Sequence, residues 1–460
     1  MTELYDIAVI GAGPAGLAAA TTAAGYGMRV VLLDAGGRPG GQYFRGRTHD
    51  RRFRRLRTRL DQAMVAGTLT YRPRHQVWTV ERLDSGFVVR SIAEGAFAHR
   101  ARHVVVATGA YDRHVPFPGW ELPGVMAAGG AQALVKGSGQ APGSRVVVAG
   151  SGPFLLPVAV ALAKAGATVV GVYEASRTRR YLRHLPVLAR HPARIAEATT
   201  YAAALARHKI PYRTGHAVVA AHGDDKLTGV TIGQLDPRGM PTTTEEVACD
   251  TLAIGYGFTP QIELLAELGC DLDGDHVAVD AGQRTSVPGV YAAGETAGIG
   301  GAPLALVEGE LAAHAIAEEA GRPRDRRLRW RISLLRIRRS ELRAFAKVLH
   351  DASFVPTHWL SDLPDDAIVC RCEEVSAGAI RAAVRELGAT DPRSVKLLTR
   401  AGMGRCQGRI CGQPTIALTS QLTSTTPTAE AALALHRRPL AQPVPLGLLA
   451  ETPDNDEGTS

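Results

Sequence analysis

Four of the six cysteines fall in two short stretches, and their spacing makes them the best candidates for chemistry in this chain. The stretches read VCRCEEV, with Cys370 and Cys372, and GRCQGRICG, with Cys406 and Cys411. Clustered thiolates in a long chain are more typical of a metal or redox site than of a disulfide framework. They could hold zinc or a [2Fe-2S] cluster. The C-x-C and C-x4-C spacings are unusual for zinc, but from spacing alone zinc, a [2Fe-2S] cluster and free thiols all remain open.

The remaining candidates for chemistry are isolated. Cys249 and Cys270 stand apart from the other thiols and are expected to be small buried side chains. The histidines are scattered along the sequence and form no constellation on a substrate side. We therefore assign no catalytic acid or base to this chain.

A glycine-rich turn near the N-terminus indicates a dinucleotide site. The motif G-x-G-x-x-G lies between a predicted strand, Ile7–Ile10, and a predicted helix, Leu17–Ala24, and a second strand, Met28–Leu33, ends at an acid. Such glycines allow a tight turn, a close approach of the backbone to a pyrophosphate and close helix packing, while the acid can bind the ribose. The residues predicted to contact the dinucleotide in this region are Gly11, Gly13, Pro14, Ala15, Gly16, Asp34 and Ala35.

The stretch from Ser144 to Ser176 repeats this pattern and indicates an internal duplication. When Gly150 is aligned with the first glycine of the earlier motif, Leu155 takes the third glycine position and Tyr173 the acid position, with Glu174 one step late. We expect the fold of a nicotinamide-type domain to be kept, while these residues disfavour NAD(P) binding. The sequence also contains no C-x-x-C pair, which disfavours disulfide reduction.

Four further stretches, GRPGGQYFRG, RHQVWTV, HVVVATGAYDR and RTSVPGVYAAGETAG, resemble the two-dinucleotide-domain flavoproteins, which include the thioredoxin reductases. The resemblance implies FAD in the first dinucleotide site. In that family the last stretch usually ends in Gly-Asp, whose acid holds the ribityl chain, whereas the acid in this chain is one methylene longer. The FAD contacts that the resemblance implies are Gly41, Gln42, Val77, Ala107, Thr108, Gly109, Gly294 and Glu295.

The segment around the clustered cysteines resembles the small helical iron-sulfur domain of bacterioferritin-associated ferredoxin. The resemblance implies a helix after Cys372, a turn near Gly388, a second helix and a glycine-rich loop that delivers the last two ligands. It implies that Cys370, Cys372, Cys406 and Cys411 bind a [2Fe-2S] cluster. The glycines that would let backbone amides approach the sulfurs are at 402, 404, 408 and 412.

Taken together, these parts resemble the FAD and iron-sulfur subunits of multi-subunit amine and amino-acid dehydrogenases. This group includes the B-subunit of hydrogen cyanide synthase, the A-subunit of opine oxidase and the α subunits of sarcosine and hydroxyproline dehydrogenases. The resemblance implies a subunit of an FAD-dependent oxidoreductase that acts on CH-NH or CH-NH2 donors. In such a complex this chain would relay electrons from an amino-acid-oxidase-like FAD subunit. A small ferredoxin-like subunit is a further candidate partner. The identity of the substrate stays open.

Two functions of other classes remain as alternatives. One is a self-sufficient NAD(P)H-dependent reductase that feeds its own cluster, against which Leu155 and Tyr173 argue. The other is a redox sensor or assembly factor without catalytic activity, against which the intact first glycine motif argues.

Composition limits the partners and the location. The formal charge is +9, but the arginine runs Arg45 to Leu60 and Arg322 to Arg343 carry apolar residues at helical spacing. They therefore predict solvated amphipathic helices rather than a nucleic-acid surface. No apolar run is long enough to cross a bilayer, and an acidic residue precedes the first strand, so we expect a cytoplasmic protein.

These elements predict an α/β fold, in which a Rossmann-like NAD-like domain is inserted in an FAD domain and a small helical [2Fe-2S] domain follows. The predicted divisions are 1–117 with 255–320 for FAD, 118–254 for the degenerate NAD(P)-like domain, 321–365 for a basic helical connector, 366–425 for the cluster domain and 426–460 for a partner-binding tail.

Overall fold

The computed structural model describes residues 3–47, 49–322, 325–426, 428, 431, 433, 438 and 440–450. The chain divides into two compact units. Unit 1 comprises Met1–Ala110, Pro260–Arg343 and His436–Ser460, and unit 2 comprises Tyr111–Thr259 and Ala344–Leu435.

The strands of both units follow one another along the chain in a fixed order. They are β1 (Leu4–Ile10), β2 (Val30–Asp34), β3 (Leu69–Pro73), β4 (Gln76–Leu83), β5 (Gly86–Ile92), β6 (Ala96–Val106), β7 (Ala110–Asp112), β8 (Val125–Ala127), β9 (Arg145–Gly150), β10 (Thr168–Glu174), β11 (Tyr212–Thr214), β12 (His216–His222), β13 (Gly229–Leu235), β14 (Pro241–Ala248), β15 (Thr251–Gly255), β16 (Phe258–Pro260), β17 (Leu272–Asp273), β18 (His276–Val277), β19 (Val290–Ala292), β20 (Ile368–Cys370) and β21 (Val375–Ser376).

The helices alternate with these strands in the first two thirds of the chain and dominate the last third. They are α1 (Pro14–Ala24), α2 (Gly41–Phe44), α3 (Arg51–Val65), α4 (Ala128–Ser138), α5 (Leu155–Lys164), α6 (Arg179–Leu182), α7 (Leu185–Ala189), α8 (Pro192–Arg207), α9 (Glu263–Glu267), α10 (Ala302–Glu319), α11 (Arg326–Ala352), α12 (Ala377–Arg385), α13 (Pro392–Thr399), α14 (Gly412–Leu422) and α15 (Leu446–Ala450).

Unit 1 is built on a seven-stranded sheet in the order β3-β2-β1-β6-β5-β4, with β19 also paired to β6. Strand β1 runs parallel to both β2 and β6. The second half of β1, Ile7–Ile10, and most of β2, Val30–Leu33, are continuous apolar runs, as expected where helices cover a parallel sheet. Helix α10 packs against α1, and a Cβ at Gly309 would lie 2.0 Å from the Ala15 carbonyl oxygen. Glycine at this position therefore allows the two helices to approach closely.

Unit 2 contains a second parallel sheet in the order β11-β10-β9-β15-β8 and an antiparallel sheet in the order β12-β13-β14. The helices α12, α13 and α14 belong to the same unit, and their apolar side chains join the core of the antiparallel sheet. Within this core the indole N–H of Trp120 donates to the Ile368 carbonyl oxygen at 2.6 Å. The segment that carries the clustered cysteines is thus fixed to the rest of unit 2.

The two arginine-rich runs form helices, as predicted. Helix α3 buries Leu56 and Leu60 and exposes most of its arginines, so it is amphipathic. Helix α11 exposes three apolar side chains at helical spacing, Trp330, Leu334 and Ile337, among exposed arginines. The first run therefore covers the core of unit 1, and the second also presents an apolar stripe.

Among the residues that the structure describes, no helix is both long enough and apolar enough to cross a bilayer. Much of the predicted tail, residues 427, 429, 430, 432, 434–437, 439 and 451–460, lies outside the described residues. In the described part, the Ala441 N–H donates to the Trp78 carbonyl oxygen at 2.8 Å, and Ala441 is buried. This part of the tail therefore packs on β4 of its own unit.

Candidate cofactor sites

The first glycine turn joins β1 to α1 and leaves one side open. Gly11 has φ +102°, and a Cβ there would lie 2.4 Å from the Ala107 carbonyl oxygen. A Cβ at Gly16 would lie 1.7 Å from the Gly11 carbonyl oxygen, so only glycine allows α1 to begin this close to the strand. A Cβ at Gly13 would meet nothing within 4 Å. The turn therefore has room for a ligand at its middle glycine, where a pyrophosphate would approach the backbone.

Asp34 ends β2 and is tied to the glycine turn. Its Oδ2 accepts the Ala12 N–H at 2.5 Å, and its Oδ1 accepts the Gly36 N–H at 2.6 Å. Burial raises the pKa of Asp34. The His75 N–H donates to the Asp34 carbonyl oxygen at 2.9 Å and brings the chain leading into β4 to the same place. The acid thus lies beside the turn, as the motif predicts, with Ala35 exposed next to it.

Three stretches that are distant in sequence meet at a small apolar cluster. It consists of Ala15, Ala107, Ala293 and Ala305, all buried. Ala15 belongs to the glycine turn, Ala107 follows β6, and Ala293 precedes Gly294. The structure therefore brings together the first motif and two of the stretches that were assigned to FAD from the sequence.

Thr108 and Gly109 continue the loop after β6. Thr108 Oγ1 donates to the Gln261 carbonyl oxygen at 3.0 Å, and the Gln261 N–H donates to the Gly109 carbonyl oxygen at 3.0 Å. These bonds hold the loop in one conformation next to the alanine cluster.

Gly41, Gln42 and Val77, which were also assigned to FAD, lie in three different environments. Gly41 has φ +56°, and a Cβ there would lie 2.9 Å from the Gly13 Cα, so its loop lies against the glycine turn. Gln42 is exposed on the short helix α2. Val77 lies on β4, where its side chain is buried in the core. Of the three, Gly41 is the one that the backbone brings directly to the turn.

Hydrogen bonds between backbone N–H groups and two carboxylates fix the loop that contains Gly294 and Glu295. Gly294 has φ +79°, and its N–H donates to Glu308 Oε2 at 3.0 Å. The Glu295 carboxylate accepts the N–H groups of Gly300 and Gly301 at 3.1 and 2.8 Å. Burial raises the pKa of Glu295 to about 7. Glu295 therefore organises its own loop, in addition to the ribityl contact that the resemblance implies.

Glu308 and its two arginines were not predicted from the sequence. Glu308 is fully buried, and its Oε1 pairs with Arg343 at 2.8 Å and with Arg339 at 3.3 Å. The sequence did carry a signal for this ion pair. An acid lies inside the apolar face of α10, and α11 has two arginines four residues apart. This buried carboxylate fixes the position of Gly294.

The second glycine turn, between β9 and α5, differs in its geometry. Helix α5 begins at Leu155, five residues after the first glycine, whereas α1 begins three residues after its own. Leu155 is buried at that position. The Glu174 carboxylate accepts the N–H groups of Gly152 and Ser176 at 3.0 Å, while Tyr173 is buried in the core. An irregularity between Val169 and Gly171 shifts the register of β10, so the acid that faces this turn is Glu174, and the predicted acid position at Tyr173 is wrong.

The open side of the second turn is covered by residues of the same unit. A Cβ at Gly152 would lie 3.2 Å from the hydroxyl oxygen of Ser353. The Phe354 N–H donates to the Ser176 hydroxyl at 2.8 Å, and that hydroxyl lies 2.7 Å from the hydroxyl of Ser151. We call Ser353 and Phe354 the strap. At Gly13 the corresponding space is free, so the two turns differ in their accessibility to a ligand.

The four clustered thiols contact one another. The Cys411 sulfur lies within hydrogen-bonding reach of Cys370 and Cys406, and the Cys372 thiol within reach of Cys406. The hydrogen bond from Cys411 lowers the pKa of Cys370 to about 6 and that of Cys406 to about 5. Cys370 and Cys411 are buried, whereas Cys372 is exposed. The sulfurs of both stretches therefore converge, as predicted.

Backbone amides surround these sulfurs. Cys370 accepts hydrogen bonds from the N–H groups of Cys372, Glu373 and Gly402, Cys406 accepts them from Gly408 and Ile410, and Cys372 accepts one from Cys406. A Cβ at Gly404 would lie 2.3 Å from the Cys372 Cβ, and the Gly412 N–H donates to the Gly408 carbonyl oxygen at 2.7 Å. Glycines 402 and 408 thus supply amides to sulfur, as predicted, while 404 and 412 allow the close packing of the loop.

This arrangement fits a two-iron cluster. Four thiolates bind [2Fe-2S], with two on each iron, and amide donors to sulfur help to set its potential. The contacts among the four thiols bring them to one place, where each could be a terminal ligand of one of the two irons.

Sequence profiles of two families match the chain. The pyridine nucleotide-disulphide oxidoreductase family matches residues 5–319, and the BFD-like [2Fe-2S] binding domain matches residues 368–418. The predicted cofactors, FAD and a [2Fe-2S] cluster, are confirmed by these matches. Binding of NAD(P) is not implied by them.

Curated relatives match along most of the chain. Hydrogen cyanide synthase subunit HcnB of Pseudomonas aeruginosa is 34% identical over 88% of this chain and 90% of its own length. The opine oxidase A-subunit of Rhizobium meliloti is 33% identical over 98% of this chain and 99% of its own length. These relatives are subunits of oxidoreductase assemblies, so the chain is similar to proteins that work in complexes.

Among solved structures, the L-proline dehydrogenase from P. horikoshii matches 97% of this chain and 79% of its own, with a TM-score of 0.69 and 21% identity. This similarity shows the fold. Together with the two family matches, it confirms the predicted class, a two-dinucleotide-domain flavoprotein with a small iron-sulfur domain. The chain belongs to the pyridine nucleotide-disulphide oxidoreductase family, within the group of FAD and [2Fe-2S] oxidoreductase subunits that contains HcnB and the opine oxidase A-subunit.

Proposed function

We propose that this chain is the electron-transfer subunit of an amino-acid or secondary-amine dehydrogenase complex. In this proposal a partner flavoprotein, similar to an amino-acid oxidase, oxidises the substrate, and this chain passes the electrons on. The observation that carries the proposal is that one chain combines an open glycine turn of the FAD type with four converging thiols. A small ferredoxin-like subunit is a further candidate partner.

The electron count explains why both cofactors are useful. Oxidation of a C–N bond to C=N removes two electrons and two protons from the substrate. FAD when bound supplies two-electron chemistry, and the cluster supplies one-electron transfer. Relatives named for opines and for sarcosine support a donor with a CH-NH or CH-NH2 group. The sarcosine oxidase α subunit is about three times as long as the matched region, which covers 33% of it.

We propose that the residues around the first turn bind FAD. The backbone amides and the open side of the turn at Gly13 would bind the pyrophosphate. The Asp34 carboxylate, which already accepts two backbone hydrogen bonds, would accept hydrogen bonds from the ribose hydroxyls with its remaining lone pairs. Glu308 holds Gly294 in place for the ribityl side. The complete set proposed for FAD is Gly11, Gly13, Pro14, Ala15, Gly16, Asp34, Ala35, Gly41, Gln42, Val77, Ala107, Thr108, Gly109, Gly294 and Glu295.

For the cluster we propose Cys370, Cys372, Cys406 and Cys411 as the ligands. The buried pair Cys370 and Cys411 would lie on the protein side, and the exposed Cys372 would lie on the solvent side. The surrounding amide donors favour negative charge on the sulfurs. This chain's residues would then exclude water from one side of the cluster and leave the other accessible to a redox partner.

For the partner flavoprotein we propose a docking stripe on α11, formed by Trp330, Leu334 and Ile337. These side chains are 67%, 43% and 58% exposed, and arginines flank them. Tryptophan and arginine are enriched in protein interfaces, and the arginines call for an acidic rim on the partner. Trp330→Glu should abolish co-purification of the complex. Leu387→Glu, at an equally exposed leucine of the cluster domain, should leave it intact.

The alternative function, an NAD(P)H-dependent reductase, is disfavoured because the strap covers the second turn. We keep the predicted cytoplasmic location as part of the proposal, since clustered cysteines that form no disulfides suit a reducing compartment.

The experiment that tests the function compares the purified chain with the reconstituted complex. The chain alone should bind FAD and iron and oxidise no amine, whereas the complex should oxidise one. Turnover of an amino acid or amine by the single chain would contradict the proposal. Because flavin and iron content are measured on the same samples, a failure to load cofactor is distinguished from a failure of function.

A further inference from the structure

Each pair of cysteine ligands has an arginine between its two members that contacts an aromatic residue. Arg371 lies between Cys370 and Cys372, and Arg409 lies between Cys406 and Cys411. Both arginines reach the same segment of unit 2, residues 111–121. We call each of these contacts an arginine clamp.

The clamp at Arg409 has three components. Its Nε donates to the Tyr111 hydroxyl at 2.8 Å, and its guanidinium carbon lies 5.6 Å from the centroid of the Tyr111 ring. Its Nη1 donates to the Cys406 carbonyl oxygen at 3.1 Å. One side chain therefore ties the loop between the second pair of ligands to a fixed aromatic residue.

The clamp at Arg371 is built in the same way. Its guanidinium carbon lies 5.1 Å from the centroid of the Trp120 ring, and its Nη2 donates to the Glu121 carbonyl oxygen at 2.8 Å. Trp120 is buried and holds the carbonyl of Ile368, two residues before the first ligand. The first pair of ligands is thus fixed through Arg371 and Trp120 together.

Two fixed cations close to a cluster have an electrostatic consequence. A guanidinium keeps its charge at any pH a protein tolerates. Reduction adds one negative charge to the cluster, and the potential depends on net charge and on hydrogen bonding around the sulfurs. A cation held nearby favours the reduced form by Coulomb attraction.

We propose that Arg371 and Arg409 are positioning residues for the [2Fe-2S] cluster, which fix its two ligand loops on Tyr111 and Trp120 and raise its reduction potential. The proposal rests on the four cysteines as cluster ligands and is independent of which amine or partner the complex uses.

The test is a potential titration of the full-length, cofactor-loaded chain, followed by electron paramagnetic resonance of the reduced cluster. Arg409→Gln and Arg371→Gln should each lower the ratio of reduced to oxidised cluster at the wild-type midpoint by about tenfold. This is the size expected for one charge roughly 10 Å away at an effective dielectric constant of about 20. Arg405→Gln is the matched control. Arg405 directly precedes Cys406 but is exposed, so solvent screens its charge from the cluster.

The positioning role has its own measurement, the rate at which a chelator removes iron. Tyr111→Phe and Arg409→Lys keep the positive charge but remove part of the clamp, so they should lose iron several times faster than the wild type with little change in potential. If the glutamine variants fail to load iron, the rates of iron loss from these two variants still test the proposal. Equal potential shifts in Arg405→Gln and Arg409→Gln, or wild-type iron loss in Tyr111→Phe, would overturn the proposal. Absence of amine turnover would affect the proposed function alone.

Discussion

The buried carboxylate of Glu308 on α10 accepts the backbone N–H of Gly294 at 3.0 Å, across 14 residues of sequence. The same carboxylate pairs with Arg339 and Arg343 on α11. One acid therefore fixes the loop of the FAD site to two helices. Since the group is fully buried, its charge depends on these partners.

Glu308→Gln should destabilise the protein by about 3–5 kcal/mol, because it leaves two partly buried guanidiniums without their carboxylate. The free energy of unfolding in urea, measured together with flavin content, checks this. Glu341→Gln breaks the exposed ion pair with Arg338 and should change stability by about 0.5 kcal/mol. Equal losses in the two variants would show that the buried position of Glu308 is unimportant.

Two glycines of the first turn should respond differently to the same substitution. Gly13→Ala places its Cβ in open space, so stability should fall by about 1 kcal/mol or less while FAD binding weakens strongly. Gly16→Ala places its Cβ against the Gly11 carbonyl and should cost about 3 kcal/mol. Unfolding of the flavin-free chain and fluorimetric titration with FAD separate the two effects. Wild-type FAD affinity in Gly13→Ala would argue against a pyrophosphate at this turn.

The clustered and the isolated cysteines should differ in metal content. Cys370→Ser should lose iron and acid-labile sulfide, because three thiolates and a hydroxyl are a poorer ligand set for two irons. Cys249→Ala is the control, since Cys249 is isolated in sequence and buried, and burial raises its pKa to about 11. Metal analysis of anaerobically purified protein provides the measurement. Zinc in place of iron in the wild type would contradict the assignment.

Glu267 should make stability depend on pH. Burial raises the pKa of its carboxyl to about 7, above the ordinary value of 4.5. The native state therefore holds the proton more tightly than the unfolded state. Its contribution to stability is largest below about pH 4.5, falls as the pH rises to about 7, and is constant above that. Urea unfolding from pH 5 to 8 should show a smaller fall in Glu267→Gln than in the wild type, and parallel curves would disprove the assignment.

Rapid mixing with NADH or NADPH should leave the flavin oxidised. The strap covers Gly152, and the buried Leu155 occupies the position where the first turn has the glycine that lets its helix pack closely. Dithionite serves as the positive control and should bleach the flavin at once. Fast bleaching by either nucleotide would instead support the self-sufficient reductase.

The sequence predicted those features that depend on local spacing. The glycine turn and the two arginine-rich helices follow from short patterns, whereas the helices flanking Gly388 were implied by the resemblance of the cysteine-bearing segment. Boundaries were less accurate: α1 begins at Pro14 rather than Leu17, because proline suits the first turn of a helix. The pair of Glu308 with Arg343 and the cover of Gly152 by Ser353 were missed. Both join residues on separate elements, and only tertiary packing brings them together.

The apolar side chains of the cluster-bearing segment and those of the antiparallel sheet form one continuous core within unit 2. Ending the gene before Asp366 would remove about a third of the buried residues of that core and leave Trp120 and its neighbours facing water. The iron-binding segment taken by itself would expose the complementary surface. Redesign of this protein by exchanging modules should therefore cut at the borders of unit 2, because a cut inside it would produce aggregation in place of a smaller working protein.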